Sequence, residues 1–332
     1  MPARRTTLLT SVAVAVLALS ACGAPGSGGG TTQAPAAASS GTAAACAPVA
    51  GDKLVLLKDD KGLQNADNVL PAINTKAATD HPSLVTLLNS VSAKLDTPTL
   101  VSLNKSVDVD RRTSSDVAKE FVQKQGLAAT DQSGAGATVV VGAAGFSESA
   151  TLAEIYAEVL RTAGYQASTR TIGSRETYLP ALESGQLTAV PEYAASLATY
   201  LNSQANGASA APVASSDVDK TVAALTPLAA KAGLTIGTAS KAQDQNGFAV
   251  TQAFADKHKV STLSDLASAC GGVVLAGPAE CPQRPFCQIG LEQTYGLKVS
   301  EFKSYDFGAI GQAIRKGDAT IGLVLTSDGS LG

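Results

Sequence analysis

Two periods alternate along the chain. Short, nearly continuous apolar runs read as buried strands: "KLVLL" at 53–57, "TVVVGAAGF" at 138–146, "LTAVPEY" at 187–193, "GGVVLAG" at 271–277 and the stretch 319–325. "NVLPAIN" at 68–74 reads as an extended segment interrupted by Pro71, and "YQASTRTIGS", "LTIGTA", "GFAVT" and "SEFKSYD" add further extended stretches. Between them the apolar positions recur with helical spacing. Leu84, Leu87, Leu88 and Val91 share one face, as do Leu152, Ile155, Tyr156, Val159 and Leu160. Thr113 and Asp116 form a capping-box pattern ahead of Val117, Phe121 and Val122. "RETYLPALESG" reads as a helix closed by Gly185, and 217–232, "TLSDLASA", 286–295 and 309–315 are helical in the same way.

Apolar strands alternating with helices predict an α/β fold with sheets covered on both faces, and the count suits two lobes. In such folds functional residues gather in loops at the carboxyl ends of strands. That rule selects residues 145–148, 191–193, 277–287 and 326–328.

The first residues differ from the rest. Arg4 and Arg5 precede an apolar run from Leu8 to Leu19, too short to span a bilayer, that closes on Leu19-Ser20-Ala21-Cys22. This predicts a signal peptide over 1–21. Residues 22–50 follow, of which 23–45 carry no charge and no periodic apolar face, and read as a flexible tether. The remaining residues, about 285, suffice for two moderate domains.

The formal net charge of −3 and pI of about 5.5 argue against a nucleic-acid partner. No Trp is present and aromatics are 4% of the chain, so each Tyr or Phe at a strand end carries weight in a ligand argument. Cys46, Cys270, Cys281 and Cys287 allow three disulfide connectivities. Cys281 and Cys287 bracket the proline-restricted "PQRPF", which favours their pairing and leaves Cys46 to Cys270. A zinc site is the alternative, but His81 and His258 are far from the close cysteine pair in sequence; no metal and no cofactor are expected. No nucleophile elbow, Walker loop or His-bearing metal motif is present. Glu148 and Asp328 could form an acid/base pair, yet carboxylates at strand ends more often cap helices and loops, so no enzyme is expected.

Two resemblances sharpen this picture. "LSAC" resembles a bacterial lipobox, which implies a multiply acylated Cys22 and a membrane anchor. "GFSESATLAEIYAEVL", "GSRETYLPALESGQL", "PEYAASLATYL", "DQNGFAVTQAFADKHKVSTLSDLA", "GPAECPQRPFCQIGLEQTYGL" and "SEFKSYD" resemble, in order, the substrate-binding proteins of osmoprotectant ABC importers. That family binds glycine betaine, choline, carnitine and related quaternary amines. Segments like its usual C-terminal part stand here at 54–127, ahead of what they normally follow.

The resemblance therefore implies a circularly permuted, two-lobe periplasmic-binding-protein-like fold (type II) with a ligand cleft between lobes. Lobe one is expected over 51–238: 51–128 matches the family's usual C-terminal part, 129–136 is a connector, and 137–238 matches the usual N-terminal part. Lobe two and a hinge strand are expected over 239–332. The implied partners are a small osmolyte, an ABC permease with its ATPase, and the membrane through lipid on Cys22, the protein itself being a monomer. The competing readings are a same-fold binding protein for a non-quaternary small solute and a non-transport signalling or adhesion module.

A quaternary ammonium has no N–H to donate and must be held by aromatic faces and negative potential. Tyr193 is the first aromatic candidate, followed by Phe146, Tyr178 and Phe307. Arg284 could meet a carboxylate, Glu148 lies in the first cleft loop, and Thr326 and Asp328 border the interlobe crossing. Asp244 and Asn246 lie just past the other crossing. The family's "PEYTGT" is "PEYAAS" here, so Ala194, Ala195 and Ser196 alter the site. Glycine betaine is expected ahead of choline.

Overall fold

The computed structural model describes residues 44–331 apart from Ala208 and Glu280. The expected signal peptide, Cys22 and most of the tether lie outside the described residues. In chain order the elements are β1 (Leu54–Leu57), β2 (Val69–Asn74), α1 (Thr75–Asp80), α2 (Ser83–Ser92), α3 (Thr97–Asp108) and α4 (Ser114–Lys124). Then come β3 (Thr138–Ala143), α5 (Ser147–Thr162), β4 (Gln166–Thr171), α6 (Arg175–Glu183), β5 (Ala189–Tyr193), α7 (Ala194–Asn206), α8 (Val218–Lys231) and β6 (Leu234–Ile236). The rest comprises β7 (Asn246–Thr251), α9 (Gln252–His258), α10 (Leu263–Ala269), β8 (Val273–Gly277), α11 (Gln288–Gly290), β9 (Val299–Ser304), α12 (Phe307–Lys316) and β10 (Ile321–Leu325).

Two five-stranded sheets organise these elements, ordered β4-β3-β5-β2-β6 and β1-β7-β10-β8-β9. In the first, β3 runs parallel to β4 and β5, and β2 is antiparallel to β5 and β6. In the second, β8 is parallel to β9 and β10, and β7 is antiparallel to β1 and β10. Each sheet is covered on both faces by apolar clusters. This is the two-lobe α/β architecture that the strand and helix periods implied, in the type II binding-protein-like form that the resemblance implied.

Pro71 does not interrupt β2. Asn74 N–H donates to the Thr188 carbonyl and Ala194 N–H to the Asn68 carbonyl, which fixes the phase of the ladder. Pro71 then faces Pro191 at a non-hydrogen-bonded pair, where neither missing N–H removes a bond between the two strands. The pattern missed α1, α3, α7 and α9. Of these, α3 is capped by Asp96, which accepts from Thr99 N–H at 2.9 Å, and buries Leu100 and Leu103. The helix expected over 286–295 begins only at Gln288 and widens to a π-turn at Leu291–Tyr295. Pro282, Pro285 and a disulfide hold the preceding residues in a short turn.

One expectation is corrected. β1 pairs with β7 in the second sheet rather than joining lobe one. Its Leu54 and Leu57 fill clusters on opposite faces of that sheet. A four-residue apolar strand fits a buried position in either sheet, so its text does not reveal its partner. The chain passes to lobe one only after β1 and returns ahead of β7. These crossing segments lie side by side: Asn68 and Gln243 form an antiparallel bridge, and Asp244 N–H donates to the Asp67 carbonyl at 3.1 Å.

The segment leading into β1 is stapled to lobe two by Cys46–Cys270, and Cys281–Cys287 closes the short loop. His258 sits beside the first pair, Nδ1 to Cys46 Sγ at 3.6 Å. Those sulfurs are bonded to each other and offer no thiolate to a metal. The Arg315 guanidinium donates to the Asp52 carbonyl at 2.8 Å and to the Ser330 carbonyl at 2.5 Å, so one side chain holds two remote stretches together. The connector is packed rather than free. Gly134 N–H donates to the Ala163 carbonyl, and a Cβ on Gly134 would lie 2.5 Å from the Tyr165 backbone nitrogen.

Candidate functional site

A cleft of about 980 Å³ opens between the lobes. Its lobe-one wall is built where the parallel strands end and helices begin: Gly145 and Phe146 after β3, Ser174 and Arg175 after β4, and Tyr193, Ala195 and Ser196 at the end of β5 and the start of α7. The crossing segments add Asn65, Asp67 and Asp244, and the opposite side adds Leu325 and Phe286. Two of the loops that the strand-end rule selects, 145–148 and 191–193, thus border this cleft.

Phe146 is exposed and lies 6.2 Å, centroid to centroid, from the Tyr193 ring, tilted by 30°. Its backbone starts α5 with no side-chain cap. Tyr193 borders the cleft with its ring and donates its hydroxyl to Glu148 Oε1 at 2.6 Å. Burial and the Glu148 charge push the Tyr193 pKa well up, so the hydroxyl keeps its proton and remains a donor. Glu148 is buried outside the cleft lining, where Asn104 donates to its Oε2 at 2.5 Å. It fixes the Tyr193 ring from behind.

Glu192 is completely buried at the end of β5. Arg175 clamps it through Nε at 3.0 Å and Nη2 at 2.8 Å, Tyr178 donates its hydroxyl at 2.6 Å, and Tyr193 donates its N–H at 3.1 Å. A buried carboxylate needs such a full set of donors. Tyr178 therefore serves two functions, as a core side chain of α6 and as part of the cleft border.

Asp67 caps the start of α7: its two oxygens accept from Ser196 N–H at 2.9 Å and Ser196 Oγ at 2.5 Å. The serine of "PEYAAS" thus retains a hydroxyl at a cleft position, while Ala195 presents only a methyl there. Burial pushes the Asp67 pKa up despite those bonds. Asp244 accepts from Ser327 Oγ at 2.7 Å, and its pKa is pushed up to about 7 by burial and then by the Glu148 charge. Glu148 is raised as well, chiefly by burial.

Besides Glu148, four more expected site residues lie outside the cleft lining. Arg284 is exposed on the disulfide-closed loop, outside the cleft lining; Phe286, two residues on, reaches it. Phe307 is exposed at the start of α12, away from the cleft. Asp328 turns back on its own chain and accepts from Ser330 N–H at 2.8 Å. Thr326 binds the crossing segment, donating to the Gln243 carbonyl at 2.9 Å and accepting from Gln245 N–H at 3.1 Å. It borders a separate cavity of about 300 Å³. The residue pattern did not single out Asp67, Arg175, Tyr200 or Phe286. Arg175 had a usable signal, since it opens a helix directly after a Gly-Ser turn at a strand end.

Three comparisons bear on this geometry. The family described as "Substrate binding domain of ABC-type glycine betaine transport system" matches residues 42–124 and 137–332. A glycine-betaine-binding protein of Pseudomonas aeruginosa is 33% identical over 84 residues, 25% of this chain and 27% of that protein. The match thus spans about a quarter of that relative's length. A crystal structure titled glycine betaine/carnitine/choline ABC transporter aligns with a TM-score of 0.44 and 16% identity, covering 57% of this chain and 68% of that one. Haemophilus influenzae OppA in complex with RPPGFSPFR aligns with a TM-score of 0.27 and 9% identity, covering 55% and 43%. By the extent of the family match, the chain belongs to the substrate-binding domains of ABC-type glycine betaine transport systems, a family of binding proteins and not of enzymes.

Proposed function

We propose that the protein captures a small quaternary-amine osmolyte between its lobes, outside the cytoplasm, and delivers it to an ABC permease and its ATPase. The observation that carries this reading is one wall of the cleft. It combines the aromatic rings of Phe146 and Tyr193 with the carboxylates of Asp67 and Asp244. Rings supply the diffuse attraction that a methylated cation accepts, and carboxylates supply the negative potential. Tyr178, Tyr200 and Phe286 extend the aromatic border, and Glu148 positions Tyr193. The crossing segments and Thr326 form the hinge about which the lobes close.

Two finer points belong to the same reading. Cys22 in "LSAC" is the lipid attachment site, and the uncharged segment after it tethers the binding domain to the membrane. The chain is a circular permutation of the family fold. Two features support this: the gap in the family match falls at 125–136, over the connector, and Arg315 brings Asp52 and Ser330 within reach of one guanidinium.

Isothermal titration of the purified protein against glycine betaine, choline, carnitine, proline betaine and a panel of uncharged solutes tests the reading. Heat confined to quaternary amines is expected. Silence from all of them, with clear binding of an uncharged sugar-like solute, would overturn it.

A further inference from the structure

The sign of the cleft's charge goes beyond the general reading just given, on which it rests. Among the residues bordering the cleft, the acidic and basic side chains are Asp67, Asp244 and Arg175. Arg175 is already committed, since its Nε and Nη2 hold the buried Glu192 and their charges offset. That leaves Asp67 and Asp244 at the surface of the cleft and Glu148 directly behind Tyr193. Among the described residues none of these three is paired with a lysine or arginine; their partners are Ser196, Ser327, Tyr193 and Asn104. The wall that would receive a ligand is aromatic, and its carboxylates have no ion-pair partner among the described side chains.

A zwitterion brings its own carboxylate into this space and must place it among like charges. Arg284, the side chain expected to receive such a carboxylate, lies outside the lining. We propose that the preferred ligand is a quaternary ammonium that carries no carboxylate, a choline-like amino alcohol, rather than a betaine. The order expected from the family resemblance is thereby reversed. A ligand hydroxyl finds acceptors in the same carboxylates that attract the cation.

A proton readout accompanies this preference. The charged groups acting on Asp244 are Glu148 on α5, Asp67 on the neighbouring crossing segment and Asp328 beyond β10; Arg175 acts on Asp67. Burial first, and then these acidic neighbours, push the Asp244 pKa up to about 7, so near pH 7 it holds its proton part of the time. A bound cation favours the ionised carboxylate, and binding then expels protons.

The test is calorimetric titration of the full-length protein with choline and with glycine betaine, at about pH 7 in two buffers of different ionisation enthalpy. Choline is expected to bind at least tenfold more tightly and to release protons. Asp67→Asn and Asp244→Asn are each expected to narrow the ratio severalfold. Glycine betaine binding as tightly as choline or more so overturns the inference but leaves the quaternary-amine reading in place. No heat from either ligand overturns the inference, and silence from carnitine and proline betaine as well, with binding of an uncharged solute, overturns both. A choline preference that is unchanged in both variants also overturns the inference, because these carboxylates would not be its source. The ratio and the proton release are read on the unmodified protein, so a variant that fails to fold does not remove the test.

Discussion

At Tyr193 the ring borders the cleft while the hydroxyl bonds to Glu148, so two substitutions separate binding from positioning. Tyr193→Ala removes both and is expected to weaken quaternary-amine binding by about tenfold or more, the value of one well-placed ring. Tyr193→Phe keeps the ring, costs less affinity, and leaves a buried Glu148 oxygen without its donor. That variant should lose about 1–3 kcal/mol of stability in urea unfolding. Asp244 makes a prediction in pH. The folded chain holds this proton to about pH 7, whereas an ordinary aspartate loses it near 3.8. The folded state therefore binds more protons across that window, and stability falls as pH rises through it. Glu148 and Asp67 are shifted in the same direction. Asp60, Asp96, Asp217 and Asp265, whose pKa values are lowered, titrate below the window and leave its slope unchanged, whereas His258, lowered by burial, opposes the three raised carboxylates in part. Ligand-free protein should melt at a higher temperature near about pH 5.5 than near about pH 7.5, and Asp244→Asn should shrink the difference. An equal or reversed pair of melting temperatures would contradict the placement of this carboxylate.

At the scale of elements, the two disulfides separate stability from site geometry. Cys46–Cys270 spans 224 residues and ties the leading segment to lobe two, so replacing both cysteines with serine should cost about 2–4 kcal/mol of stability with little effect on affinity. Cys281–Cys287 closes a loop with a separation of 6 that carries Phe286 into the cleft. Its double serine variant should weaken ligand binding severalfold while lowering the melting temperature less. Comparing both variants by calorimetry and thermal unfolding checks the division. The periods in the sequence located most strands and helices because each buries a face whose spacing is local. The partner of β1 was not legible, since pairing is a long-range choice that four apolar residues do not encode. The site was legible in part for the same reason. Phe146 and Tyr193 stand at strand ends that a local pattern marks, whereas Asp67 joins the site through a crossing segment 129 residues from its partner Ser196. Arg284 and Phe286 share one loop, and only its folded path decides which of them enters the cleft.

At the scale of the whole molecule, the order of segments along the chain is separable from their places in space. Asp52 and Ser330 share the Arg315 guanidinium, and the connector is packed against the α5–β4 turn. A chain reopened within the connector, with residue 331 joined to residue 52 by a short linker, should fold and bind ligand with unchanged affinity. Failure to fold with several linker lengths would argue against the permuted relation. The central claim, that the cleft receives a quaternary ammonium, is tested most directly by a crystal structure of the protein grown with choline. The ligand nitrogen is expected within about 6 Å of the Phe146 or Tyr193 ring centroid, on the side of the cleft that carries Asp67 and Asp244. Choline bound outside the cleft, or with its nitrogen turned away from both rings and both carboxylates, would contradict it.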